Sequence, residues 1–337
     1  MLRRFIALLL PSLALAGDPL VDDEFQWKSS PPLVAPAQRP DDPCVSIKDP
    51  TVVFHDGRWH LFCTIRSEKR SHQIEYLNFT DWKDADKAPR HILKLHDGYF
   101  CAPQVFYFSP LKKWCLLYQT ADQSRKPALQ PTLSMSDKLD DPAAWSKPVV
   151  LWDRSWPDCP HAIDFWLICD ATHARLFFTS NNGKLWRSDA PLAEFPRGFT
   201  EPKTVLQGDL FEASATYKIK GREEYLTLIE AEGGGGRYFK AWTAPRLDAE
   251  WKPLADTFDK SFASRKNVTF PEGTTPWAQS ISHGELLRSS IDEKLEIDPA
   301  NLKLLYQGAT GAEMAGRPYG KIPWRLGLLE MESSAVR

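Results

Sequence analysis

An apolar strand, a short polar turn and a second, aromatic-rich strand recur five times along this chain. The copies read TVVFHDGRWHLFCTI from Thr51, QVFYFSPLKKWCLLYQ from Gln104, FWLICDATHARLFFTS from Phe165, ASATYKIKGREEYLTLIEA from Ala213 and HGELLRSSIDEKLEIDPANLKLLYQG from His283. Their starts lie 53, 61, 48 and 70 residues apart, more than one hairpin needs and about right for a four-stranded sheet. Long stretches with apolar residues at i, i+3, i+4 and i+7 are scarce, so the chain reads as all-β. Five sheets arranged radially make a five-bladed β-propeller. A β-sandwich is the alternative, but it does not account for hairpins returning at this interval. A length of 337 residues suggests two domains at about 150 residues each, yet the 321 residues after Ala16 give about 64 residues to each of five blades, and one propeller takes the chain from Phe25 almost to the end. The expectation is therefore a single propeller over residues 17–330, a polar tail over 331–337, and no second domain. The Pro-rich stretch 30–43 is flanked by apolar and aromatic residues and reads as an ordered loop of the same domain.

The first 16 residues carry Arg3 and Arg4, an apolar run from Phe5 to Leu15, and Ala14-Leu15-Ala16 before Gly17. This is the pattern of a secretory signal peptide, too short to span a bilayer, and predicts an exported protein that is not embedded in a membrane. With 42% hydrophobic residues the chain can bury a sizeable core, which excludes disorder. A net charge of −2 lacks the basic footprint of a nucleic-acid binder. Cys44, Cys63, Cys101, Cys115, Cys159 and Cys169 contain no CxxC pair, so a zinc ribbon or thioredoxin-type site is not supported. Disulfides and buried thiols both remain open for them. Asn78-Phe79-Thr80 and Asn267-Val268-Thr269 are glycosylation sequons. Most of the 13 Trp are expected in blade packing, with a few left for stacking on sugar rings.

Just before or at the first strand of each hairpin stand Asp49, Gln104, Asp164, Glu212 and His283. In a propeller these first strands run beside the axis, so the five side chains converge on one mouth of the channel. Asp164 sits between Ala162-Ile163 and Phe165-Trp166, and Glu212 between Leu210-Phe211 and Ala213, where a charge is costly unless paired or functional. Three convergent carboxylates suit glycosidic bond cleavage: one protonates the departing oxygen, a second activates water or attacks carbon, and a third tunes the first. His283 reads as a carboxylate partner, an axial metal ligand or a core histidine. No paired His or HExxH supports zinc.

The motifs SIKDPTVVF, CAPQVFYF, HAIDFW, NNGKLWRS, LFEAS, RYFKAWTA, ISHGELLR and LLYQG, in this order between Phe25 and Gly327, resemble glycoside hydrolase family 62. These are α-L-arabinofuranosidases that strip arabinose side chains from arabinoxylan. The resemblance implies a five-bladed propeller acting with inversion, with Asp49 as general base, Glu212 as general acid and Asp164 as the aspartate that orients and tunes the acid. It implies a calcium ion near the channel centre, held through His283 with waters completing its shell, and no cofactor for the chemistry. It also implies Lys48, Tyr306, Glu230, Gln307 and Arg288 around the arabinose.

Two places depart from the family pattern. TADQSRKPALQP, from Thr120, lacks an expected tryptophan, and Ala278-Gln279-Ser280 replaces the usual Asn-Asp before ISHG, so polymer contacts there are not carried over. The expected partner is arabinoxylan or an arabinose-bearing oligosaccharide, acted on by a monomer. The rival expectations are a secreted propeller that binds glycans without cleaving them, and another five-bladed glycosidase that cuts arabinan internally or releases xylose.

Overall fold

The computed structural model describes residues 18–22 and 24–332. The signal-peptide pattern and residues 333–337 of the expected tail lie outside the described residues.

Strand pairing begins locally. Asp56 and Gly57, with φ of 48° and 74°, form a two-residue turn between the strands Cys44–His55 and Arg58–Ser67, the geometry whose twist matches that of the flanking strands. The alternation of apolar residues then closes the ladder Thr51↔Phe62, Val52↔Leu61, Val53↔His60 and Phe54↔Trp59. The strands of all five expected hairpins pair antiparallel, the others through longer connections, and each pair belongs to a separate sheet.

The first blade holds Cys44–His55, Arg58–Ser67, Ser71–Phe79 and Arg90–Ile92. The second holds Phe100–Phe108, Lys113–Ala121, Leu129–Ser136 and Val149–Val150, and the third Ile163–Cys169, His173–Thr179, Lys184–Pro191 and Lys203–Gln207. Ala215–Ile219, Tyr225–Gly233, Gly236–Ala244 and Lys252–Ala255 make the fourth, with Glu296–Ile297 added in parallel beside Ala215–Ile219. The fifth joins the two ends of the chain: Trp27–Ser29 pairs antiparallel with Arg325–Met331, beside Lys303–Ala309 and Ser280–Leu286. Closing the ring with an N-terminal strand removes the free edge that the last blade would expose. These five sheets are a β-propeller, and the sandwich is set aside.

The first strands of the blades pack against one another around the axis. Between the blades lie aromatic and aliphatic layers, and all the tryptophans except Trp59 and Trp82 are buried. All six cysteines are buried and free.

Candidate active site

At one level of the channel the inner strands break their regular ladder. The pairing is irregular between Lys48 and Thr51, Cys101 and Gln104, Ile163 and Trp166, and Ser282 and Gly284. Asp49, Ala102, Asp164 and Ala213 take positive φ of 48°, 50°, 57° and 54°. For a residue with a Cβ this costs about 1–3 kcal/mol each, and such strain gathers at functional sites. A bulge re-aims a side chain, and here it turns side chains toward the mouth of the channel.

Each break is held from the preceding blade. The Asp49 N–H donates to Gln307 Oε1 at 2.8 Å, Ala102 N–H to Thr64 Oγ1 at 2.8 Å, and Asp164 N–H to Gln119 Oε1 at 3.0 Å. Ala213 N–H donates to Asp164 Oδ2 at 3.1 Å, and His283 N–H to Glu230 Oε2 at 2.6 Å. Five displaced amides thus find five side-chain acceptors, one across each blade junction. A buried amide left without a partner costs about 1–3 kcal/mol, so this ring offsets part of the strain it holds.

The ring brings the three expected carboxylates together. His283 Nδ1 stands 3.3 Å from Asp49 Oδ1 and 3.8 Å from Asp164 Oδ2, and Lys48 Nζ lies 3.5 Å from Asp49 Oδ2. Asp164 reaches the Glu212 segment through its bond to Ala213. Burial by itself would raise the Asp49 pKa, but Lys48, His283 and a hydrogen bond from Thr64 hold it below the ordinary value. Asp164 lies farther from His283, at 3.8 Å, and Lys48 only partly offsets its burial. Its burial, with Glu212 and Asp49 as neighbours, pushes its pKa well up. Asp49 is therefore equipped to be ionised and Asp164 to keep its proton.

Glu212 is gripped differently. Arg237 Nη1 donates to Glu212 Oε1 and, at 2.8 Å, to Glu230 Oε1. Asn181 Nδ2 lies 3.4 Å from Glu212 Oε2. The side chains of Glu212, Arg237 and His283 keep 10%, 14% and 17% of their surface exposed, while Glu230 keeps none. The first three reach the site, and Glu230 supports them from beneath. Burial raises the Glu230 pKa, which Arg237 opposes and Glu212 reinforces.

The remaining expected pocket residues divide. Lys48 joins the site, whereas Gln307 and Glu230 act through the amides they hold. Tyr306 is fully buried in the fifth blade, where its hydroxyl meets Ser29 Oγ at 2.8 Å and its ring stacks on Trp277. Arg288 lies below the carboxylates, donating to Val52 O at 2.9 Å and Val105 O at 2.8 Å and pairing with Glu285 at 2.6 Å. Gln104 likewise sits past the bulge, its amide donating to Leu167 O at 2.8 Å and accepting Leu167 N–H at 2.7 Å. Ala102 occupies the level expected of it.

Another tyrosine reaches the site instead. The Tyr319 ring lies 4.9 Å from Lys48 Nζ and 4.6 Å from the Arg237 guanidinium, linking the Asp49 side to the Glu212 side. The residue keeps 38% of its surface exposed, its ring being the part that lies against those two cations. Arg237, in the motif RYFKAWTA, and Tyr319, in a short turn before the last strand, carried no repeat signal, and only their aromatic and cationic character hinted at a role.

Calcium takes 6–8 oxygen ligands. No three His, Cys, Asp or Glu side chains cluster as a metal site among the described residues, and the His283 Nδ1 atom faces two carboxylates. The residues present fit an imidazole–carboxylate contact at His283. A base–acid carboxylate pair needs no cofactor for glycoside hydrolysis.

Residues 26–330 match the family described as glycosyl hydrolase family 62. The chain is 38% identical over 314 residues to alpha-L-arabinofuranosidase C of Cellvibrio japonicus, covering 91% of this chain and 47% of that protein. It thus spans about half the length of that curated relative. It is also similar to the catalytic domain of the Coprinopsis cinerea family 62 α-L-arabinofuranosidase, at 38% identity and a TM-score of 0.86, covering 93% of this chain and 99% of that one. A family 62 hydrolase solved in complex with xylotriose is 36% identical with a TM-score of 0.84, over 91% of this chain and 98% of its own.

Proposed function

We propose that this chain, which belongs to glycosyl hydrolase family 62 and is a glycoside hydrolase, releases terminal α-L-arabinofuranosyl groups from arabinoxylan with inversion at the anomeric carbon. The carrying observation is the convergence of the carboxyls at the channel mouth: Asp49 lies 3.5 Å from Lys48 Nζ and 3.3 Å from His283 Nδ1, which lower its pKa, while Asp164 accepts the Ala213 N–H at 3.1 Å beside Glu212, where burial raises its pKa. Asp49 takes the proton of a water that attacks the anomeric carbon. Glu212 gives its proton to the glycosidic oxygen as that bond breaks, and Asp164, neutral and bonded to Ala213, holds the Glu212 segment in place. A xylan backbone as the carrier of the arabinose is supported by the relative solved with xylotriose. In this reading the protein is exported and works as a monomer on a neutral polysaccharide, in keeping with its net charge of −2.

The test is to incubate the protein with wheat arabinoxylan and with debranched arabinan, following the released sugar and its anomeric configuration by proton NMR. Arabinose from arabinoxylan alone, first appearing as the β-anomer, is expected, and Asp49→Asn and Glu212→Gln lower the rate by about 10²–10⁴-fold. Release of α-arabinose, of xylose, or of arabinan fragments overturns the reading.

A further inference from the structure

We propose that Arg237 is the positioning residue that aims the proton of Glu212, an inference that rests on Glu212 being the general acid. A carboxylic acid can carry its proton on either oxygen, and only one of the two is useful to a leaving group on a given side. Arg237 Nη1 donates to Glu212 Oε1. An oxygen that accepts an N–H bond from a permanently charged donor is the poorer place for the proton, so the acidic hydrogen favours Oε2. Among the described residues that oxygen has Asn181 Nδ2 as its hydrogen-bond neighbour, at 3.4 Å, too long for a firm hydrogen bond. It is the free edge of the carboxyl.

A bare guanidinium against an acid strips it of its proton. Here the same nitrogen is 2.8 Å from Glu230 Oε1, on a fully buried carboxyl that also accepts from Ser282 Oγ at 2.7 Å and from the His283 amide. Arg237 and Glu230 together present Glu212 with a donor whose charge is already balanced. Glu232, with Oε1 3.9 Å from Arg237 Nε, adds a weak third contact. Two rings hold the guanidinium from turning: its carbon lies 4.7 Å from the Phe211 ring centre and 4.6 Å from that of Tyr319. Phe211 is the residue beside Glu212, so the acid and its clamp are fixed to one piece of backbone, which pairs with Glu230 through Phe211 N–H to Glu230 O at 2.8 Å and Glu230 N–H to Glu212 O at 2.9 Å.

In the step itself the Oε2 proton moves to the glycosidic oxygen, which keeps the electron pair of the breaking bond. Water supplies the new oxygen at carbon, and its proton goes to Asp49. Arg237 neither gives nor receives a proton, so its effect appears only where proton delivery matters.

Leaving groups separate this role from a merely structural one. A nitrophenolate departs without protonation, whereas phenolate and a xylan hydroxyl need it. We expect Arg237→Ala to lower kcat on phenyl α-L-arabinofuranoside and on arabinoxylan by about 10²-fold more than on 4-nitrophenyl α-L-arabinofuranoside. Arg237→Lys should recover about a tenfold part of that loss. The same two aryl substrates are run with Glu212→Gln. If Arg237→Ala loses the same factor on every substrate while Glu212→Gln discriminates between them, the positioning role is overturned and Glu212 stands. If Glu212→Gln does not discriminate, the acid assignment itself falls. Should the alanine variant not fold, Arg237→Met combined with Glu230→Gln keeps the buried charges balanced and is judged by the same ratio.

Discussion

The backbone N–H of Asp49 donates a 2.8 Å hydrogen bond to Oε1 of Gln307, a side chain 258 residues further along the chain. This bond closes the junction between the first and fifth blades at the point where Asp49 departs from the strand. It couples the closure of the ring to the aim of the candidate base.

Replacing Gln307 by Leu leaves that buried amide, and Ser282 Oγ, which receives Gln307 Nε2 at 3.1 Å, without this partner. The expected cost is about 1–3 kcal/mol in urea unfolding with an unchanged slope, because one buried donor loses its acceptor. Arabinose release should show a larger drop in kcat than rise in KM, since the group displaced is the proposed base. Wild-type stability and activity in this variant would remove the significance given to the bond.

Asp164 carries the pH prediction. Its native pKa is raised by burial and by Glu212 and Asp49, so the folded state holds this proton more tightly than the unfolded chain, whose value is about 3.9. Stability from this group is present below about pH 3.9 and is lost as pH rises through the raised native value. Asp164→Asn has no charge to bury and can still accept the Ala213 N–H. It should unfold at higher temperature than wild type at pH 7, by about 0.5–2 kcal/mol, with the gap closing toward pH 4, while its activity drops. Equal melting curves at pH 7 contradict the raised value.

Arg288 and Glu285 form a buried pair below the site, with 1% and 0% side-chain exposure. Glu285 Oε2 also accepts from Thr51 Oγ1 at 2.5 Å. Removing one partner strands the other charge, so Arg288→Ala should lose about 3–5 kcal/mol by chemical denaturation. The double variant Glu285→Leu with Arg288→Met should lose less than Arg288→Ala does, because no lone charge remains. If the double change is the worse of the two, the pair contributes attraction beyond its desolvation cost.

Hairpins were legible because they are local: HDGR between two apolar runs specifies a turn, a register and a buried face within fifteen residues. Asp164 and Glu212 were legible for a related reason, since a charge within an apolar run is costly enough to stand out. Gln104 shows the limit. Counting back from its turn gives a position on the strand but not the bulge between Cys101 and Gln104, which sets Ala102 at the level of the carboxylates. Tyr306 and Arg288 show another: a period-2 strand places neighbours on opposite faces, and the pattern alone does not say which of them meets the site. Arg237, Tyr319, Thr64 and Gln119 come from second strands, a third strand and a late turn, none of which shares the phase of the inner strands.

Five hairpins, an all-β chain and the set of carboxylates follow from residue order, because alternation and turn chemistry act over a few residues. Which side chains become partners was decided when the strand Trp27–Ser29 met Arg325–Met331 and closed the ring. Gln307 with Asp49, Glu230 with His283, and Tyr319 between Lys48 and Arg237 are contacts between distant segments, which depend on the joint placement of the blades.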